Sequence, residues 1–304
     1  MQRELPSGTV GKAPMRDDPC LPAGDALRPT AEEAKASWAA RVRADREQVE
    51  RLREVVDPAD FYAPVAERFR VDPRRTDDPV LDVLRSLAQS DEAWLDIGAG
   101  GGRFALPLAL VVRKVTAVEP SAAMRSVLSD GMSEAGITNI TIVESRWPSE
   151  SGAPPLEADV SLMAHVGYDI EGIGLFLDAM EAATGRLCVA IMGEAPMAGL
   201  ATLLWEPVHG EPRIRLPALP ELIALLIATG RLPEVRLVDR QAMTFDSYDE
   251  LLTMTRRQLW VRSGSERDQR LERLVRRHGV EHDRRWSFGE PPARVGIVTW
   301  APRS

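Results

Sequence analysis

The chain has little cysteine, no long apolar run and no excess of basic charge, and each shortage removes a class of protein. Cys20 and Cys188 are the only two cysteines in 304 residues. They cannot make a disulfide framework or a zinc-binding spacing, so no metal is expected and a reducing, cytoplasmic compartment is. No stretch approaches the roughly 18 apolar residues of a membrane span, and the N-terminus lacks an apolar signal core, so no membrane association is expected. Lys and Arg total 38 against 46 Asp and Glu, for a net charge of −8. Proteins that live on phosphate contacts carry the opposite balance, which argues against a nucleic-acid partner while leaving room for a local basic patch. What remains, 44% hydrophobic and 28% charged residues, is ordinary for a folded chain. At about 150 residues per domain this length allows one large or two small domains. Oligomeric state is not written in any of these features.

Residues 1–29 are rich in Pro, Gly and charge without a period, and read as a disordered leader. At Thr30 the pattern changes. Thr30 and Glu33 have capping-box spacing, and Trp38, Val42, Val49, Leu52 and Val56 recur at helical spacing until Asp57-Pro58. An aromatic helix is expected over 61–69. Asp78 caps a further helix with Pro79 in its first turn. Residues 30–78 are thus expected to form an N-terminal helical segment able to act as a lid. From residue 93 onward, short apolar strands alternate with helices. The strands are read at 93–97, 115–119, 139–143, 158–164, 186–192, 235–238 and 295–300. Such alternation implies right-handed crossovers and a mostly parallel sheet covered on both faces. Residues 193–216 show no clear period and read as an insertion; helices are expected near 247–261 and 266–278 within an added stretch at 246–279.

The strongest chemical signal is Asp96-Ile97-Gly98-Ala99-Gly100-Gly101-Gly102-Arg103. Glycines at 98, 100 and 102, between a strand and a helix, let backbone approach a ligand with no Cβ in the way. The turn falls at the carboxyl edge of the first strand, where open α/β sheets bind ligands. Glu119 ends the second strand, and a carboxylate there can accept hydrogen bonds from both hydroxyls of a ribose. A dinucleotide-binding fingerprint is the rival reading, but its third glycine belongs at position 103, where this chain has arginine.

The D-x-G-x-G-x-G pattern, with Glu119, resembles motifs I and II of the class I S-adenosylmethionine-dependent methyltransferases. The resemblance covers residues 79–192 well and 217–300 by element order alone. It implies a Rossmann-like seven-stranded, mostly parallel α/β sheet with helices on both faces and the last strand antiparallel. By the same resemblance Asp96 holds the methionine amine of S-adenosylmethionine, directly or through water. Gly98, Ala99, Gly100 and Gly102 pass beneath the methionine and ribose with Arg103 at the loop's end, and Glu119-Pro120 meets the ribose. Arg146 and Trp147 stand where the family contacts adenine; alternatively Trp147 is a half-buried packing residue. Pro107 departs from the pattern, early in the helix after the loop, and is expected to kink it.

On the acceptor side, His165 and Tyr168 follow the fourth strand, in a loop that faces the transferred methyl in related enzymes. His165 is a candidate general base and cofactor contact, or a histidine held by loop backbone. Tyr168 is a candidate for shaping the acceptor pocket, and Asp169 for capping the next helix. Trp205, His209, Glu211, Arg213 and Arg215 either line an acceptor pocket, with the arginines able to bind a carboxylate or phosphate, or are solvated loop residues. The expected activity is methyl transfer to a small molecule by in-line displacement, with S-adenosylhomocysteine as the second product. Methylation of protein or RNA, donor binding without catalysis, and a nicotinamide-dependent oxidoreductase are the competing readings.

Overall fold

The computed structural model describes residues 29–149, 155–196, 199–240, 243–288 and 293–303. The leader expected over 1–29 lies, but for its last residue, outside them. In chain order the elements are α1 (Ala31–Leu52), a 3-10 helix (Ala63–Phe69), α2 (Pro79–Leu87), β1 (Ala93–Ile97), α3 (Ala105–Ala109), β2 (Lys114–Val118), α4 (Ala122–Ala135) and β3 (Ile140–Val143). Then follow β4 (Ala158–Ala164), α5 (Ile173–Ala182), β5 (Thr184–Gly193), α6 (Gly199–His209), α7 (Leu219–Ala228) and β6 (Glu234–Arg240). The last are α8 (Tyr248–Gln258), α9 (Glu266–His278), a hairpin β7 (Val280–His282) and β8 (Arg285–Ser287), and β9 (Ala293–Trp300).

Seven strands form one sheet in the order β3-β2-β1-β4-β5-β9-β6. Pairing is parallel from β3 through β5, while β9 runs antiparallel to both β5 and β6. The doubly wound sheet is therefore as the alternation of elements implied, and its reversed last strand as the resemblance implied. Period-two alternation sorts the strand residues between two cores. Leu95, Ile97, Met163 and Ala190 face one core with Trp38, Phe176, Leu177 and Leu222 from α1, α5 and α7. Trp94, Leu162 and Val189 face the other with Leu81, Leu84, Leu106 and Leu128 from α2 through α4. Leu84 is wholly buried, and Leu84→Ala should cost about 2–5 kcal/mol through lost transfer and the cavity left behind.

Local signals explain most helix starts. Thr30 and Glu33 form the reciprocal capping box, and Asp78 accepts from the amides of Val80 and Leu81. Ser121 Oγ accepts from Met124 N at the start of α4. Other expectations need correction. α1 stops at Leu52, leaving Val56 75% exposed. The aromatic segment is a 3-10 helix, and it begins at Ala63 with Pro64 in its first turn. The helix after the glycines runs only over Ala105–Ala109, and Pro107 falls in its first turn, where the missing N–H has no intrahelical partner to lose. Asp169 caps nothing, because α5 begins behind Gly172. The stretch read as an aperiodic insertion contains α6, whose pattern is obscured by Pro207 within it.

A third core stands apart from both faces of the sheet. It joins Val49 and Leu52 of α1 to Trp205 and Val208 of α6, Phe245, Leu251 and Leu259 around α8, and Leu271 and Val275 of α9. α6 leaves the C-terminal end of β5, and α8, α9 and the hairpin lie between the end of β6 and the start of β9. Because β9 is antiparallel to both neighbours, these exits share the carboxyl edge of the parallel strands. This small helical cap is therefore rooted on the same edge as the glycine loop.

Candidate functional site

The glycine loop is built from β1 outward. Ile97 pairs with Val118 in register, and the amides of Gly98 and Ala99 both donate to Val118 O, at 2.8 and 3.2 Å. Gly98, Gly100 and Gly102 all have positive φ, at 74°, 56° and 87°. Their surroundings differ. A Cβ on Gly98 would lie 2.5 Å from Val166 Cγ2, and one on Gly102 would lie 2.5 Å from Leu128 Cδ1. A Cβ on Gly100 would meet nothing within 4 Å. The outer two glycines serve packing as well as conformation, and the middle one faces open space. That is the cradle a bound molecule needs.

Two buried carboxylates flank it. Glu119 follows β2, is 4% exposed, and accepts from Gly100 N and Ser121 N, both at 2.8 Å. Burial pushes its carboxyl above the ordinary range despite those two bonds. Asp96 is 2% exposed and accepts from the backbone of Ala105. Burial first, and then the like charge of Glu119, push it from 3.8 up to about 7. Two desolvated acids beside a glycine cradle suit a ligand that brings a positive charge and hydroxyl donors.

The loop after β4 closes the other side. His165 N donates to Ile191 O, and the residue takes a positive φ of 57°. Val166 lies against Gly98, so this loop abuts the glycine turn. Tyr168 is buried, and its hydroxyl accepts from Gly193 N at 2.8 Å, tying the loop to the end of β5. Ile170 O accepts from Trp38 Nε1 of α1 at 3.0 Å.

The structure thus gathers Asp96, Gly98, Ala99, Gly100, Gly102, Glu119, Pro120 and His165 at one edge. Other candidates point elsewhere. The Arg103 guanidinium is held by Asp78 at 3.0 Å. Trp147 is half-buried, donates from Nε1 to Phe176 O and meets the Phe176 ring edge-on, as a packing residue does. Arg146 is exposed. Glu211 is an anchor for the cap, bonded to Arg51 and Gln48 of α1, and Arg215 is exposed.

One participant gave no signal in the sequence. Asp60 accepts from Ser121 Oγ and Ala123 N at the start of α4, next to Glu119. Those hydrogen bonds hold its carboxyl below the ordinary range. The segment it belongs to reaches the glycine loop, since a Cβ on Gly101 would meet Phe69 O at 2.9 Å. Tyr62 and Phe61 are each 40% exposed, and the Arg257 guanidinium of α8 lies 4.2 Å from the Phe61 ring centroid.

No family model matches the chain. Over 83 residues it is 28% identical to a ribosomal RNA small subunit methyltransferase G of Pseudomonas putida. The match covers 27% of this chain and 38% of that protein, so the chain spans under half the length of the curated relative. Among solved structures it resembles the YcgJ protein of Bacillus subtilis, with a TM-score of 0.51 and 14% identity over 74% of this chain and 98% of that one. It also resembles an S-adenosylmethionine-dependent methyltransferase of Thiobacillus denitrificans in complex with S-adenosylhomocysteine. There the TM-score is 0.50 and the identity 13%, over 82% of this chain and all of that one. Among the described residues no helix is long and apolar enough to cross a membrane. With its strand order, its reversed last strand and a glycine loop backed by two acids, the chain has the fold of the class I S-adenosylmethionine-dependent methyltransferases.

Proposed function

We propose that this protein binds S-adenosylmethionine on the glycine loop and transfers its methyl group to a small-molecule acceptor beneath the helical cap. The observation that carries the reading is the pairing of Asp96 and Glu119 around Gly100, whose missing side chain faces open space. In this reading Asp96 takes the donor's amine and Glu119 the ribose hydroxyls, while the Gly98–Gly102 backbone passes beneath the ligand. When bound, the sulfonium supplies an already activated methyl group, so the chain need only orient and enclose. Aligning donor and acceptor in line can account for roughly 7–11 kcal/mol of a barrier. The cap and the 3-10 segment exclude water from the carboxyl edge. His165 stands at the loop that faces the methyl and is the candidate to accept a proton from a hydroxyl or amine acceptor. Tyr168, already engaged by Gly193 N, holds that loop in place.

The match to a ribosomal RNA methyltransferase favours a second reading, an RNA acceptor. Net charge of −8 and the acids around the edge, Asp60, Glu119 and Asp169, weigh against a phosphate-rich partner. Calorimetry with S-adenosylmethionine, S-adenosylhomocysteine and NAD tests the donor. Transfer of labelled methyl into a metabolite extract, set against transfer into total RNA, tests the acceptor class. Binding of NAD alone, or label found only in RNA, would refute the proposal.

A further inference from the structure

Buried polar groups without partners are rare in folded proteins, and three of them occur together in the cap. Arg213 Nη1, Trp205 Nε1 and His209 Nδ1 are all shut away from solvent with no hydrogen-bond partner. Trp205 is 1% exposed, and the Arg213 guanidinium lies over its ring at 4.0 Å from the centroid. The His209 ring stacks beside the same indole at 4.2 Å. Trp260 closes the cluster, 6.5 Å from Trp205 and 5.7 Å from the guanidinium.

The hydrogen-bonding roles can be assigned. Arg213 Nη1 and Trp205 Nε1 are donors and nothing else. His209 Nε2 lies 3.0 Å from Leu259 O, so Nε2 carries the proton and Nδ1 presents a lone pair. Burial holds this imidazole down at about 4, hence neutral at physiological pH. The cluster thus lacks acceptors for two donors and a donor for one acceptor. Its charges, by contrast, are already matched. Arg213 Nη2 pairs with Asp45 of α1 at 2.5 Å. Asp169, from the loop beside the glycine turn, lies near enough to help raise the Asp45 carboxyl.

We infer that this cluster is the recognition end of the acceptor site and takes an uncharged, flat molecule carrying both a carbonyl oxygen and an N–H or O–H, such as a lactam or amide. The inference rests on the methyl-transfer reading for its place at that site. A carboxylate or phosphate would add an unmatched negative charge beside Asp45 and Asp169, which a buried setting opposes. A neutral ligand meets the free donors and acceptor without disturbing the ion pair.

The test compares two probes on one bicyclic ring, 2-quinolinone and quinoline-2-carboxylate, titrated by NMR with saturating S-adenosylhomocysteine. The lactam should bind at least about tenfold more tightly, the scale of one or two net hydrogen bonds. Trp205→Phe keeps the ring and removes only the N–H. A purely structural indole would make this variant as stable as the parent or more so, with probe affinity unchanged, because an unmet buried donor has gone. The proposal expects the melting temperature to hold and lactam affinity to fall by about tenfold. Arg213→Met should do the same, with Asp45→Asn added to keep the charge balanced if the single change unfolds the cap. Preference for the carboxylate, no lactam binding at millimolar concentration, or indifference of binding to Trp205→Phe overturns the inference. Failure of S-adenosylhomocysteine to bind would instead sink the methyltransferase reading, and the probes titrated without it would still decide the pocket's preference.

Discussion

Asp96→Asn should make the empty protein more stable and a worse binder. The carboxyl is wholly enclosed and stands at about 7 against an ordinary 3.8. At 1.36 kcal/mol per unit, its ionised form costs the unliganded fold about 4 kcal/mol relative to an unperturbed carboxylate. Here the folded value lies above the unfolded one, the reverse of the usual aspartate. The folded state therefore holds its proton more tightly, and stability falls as pH rises from about 4 to about 7 before levelling off. Asparagine has no charge to desolvate and can still accept from Ala105 N. Urea denaturation should show Asp96→Asn gaining roughly 2–4 kcal/mol at pH 8 and almost nothing at pH 4, discounted for an amide that must find its own partners. The ligand side has the opposite sign. A cationic amine draws the carboxylate back to its ionised form, so parent affinity for S-adenosylhomocysteine should weaken by up to about tenfold per pH unit below 7. In Asp96→Asn that pH dependence should vanish and affinity at pH 8 should fall by about 1.5–3 kcal/mol, the scale of a charged hydrogen bond. Equal stability of parent and variant at both pH values, or unimpaired binding by the variant, would show that Asp96 is neither strained nor aimed at the ligand.

Gly100→Val should leave the protein folded, at a cost of about 1–2 kcal/mol for a branched residue in left-handed backbone, while abolishing binding of S-adenosylhomocysteine. Unchanged affinity by calorimetry would mean that the loop holds no ligand. Glu119→Ala should weaken S-adenosylmethionine and S-adenosylhomocysteine equally, by about 1.5–3 kcal/mol, since both carry the same ribose; a loss confined to one of them would move Glu119 away from the sugar. Tyr62→Ala should lower acceptor turnover while leaving donor affinity within about threefold, if the 3-10 segment walls the acceptor side. Full turnover in that variant would leave the N-terminal segment as packing alone.

The parts of this molecule that were legible in its sequence share one property: their causes are local. Capping at Thr30, Asp78 and Ser121 depends on neighbours two or three residues away, and the glycine turn on its own backbone. The parallel, two-faced sheet followed from the alternation of strands and helices, and its reversed last strand from the family resemblance. What escaped depends on contacts across the chain. Asp60 reads as one acid among many until α4 brings Ser121 and Ala123 to it. Trp205 and Arg213 could be read either as pocket lining or as solvated loop residues, because Pro207 hid the helix period and because Asp45 lies far away in sequence. Trp147 looked equally able to stack on a ligand or to pack, and only the position of Phe176 O gives it a partner. The β7–β8 hairpin carries no alternation that distinguishes it from the charged stretch around it.

The cap draws its core from chain segments far apart: the end of α1, α6, and the stretch from Phe245 through α9. Its contacts close long loops, whose entropy must be overcome before any reward is gained. α1 precedes the sheet in the chain, yet Val49 and Leu52 find their first partners in the cap only when α6 has been made, and that core is complete only with Leu271 and Val275 of α9. The sheet's own neighbours β1 and β2 are joined by far shorter connections and can assemble earlier. In the proposed arrangement, the floor of the site is expected to form before its roof, and the last cooperative unit to close is also the first expected to open. Amide exchange should find the cap least protected of the three cores, so that local unfolding of the roof gives ligands a way in and out without loosening the glycine turn beneath.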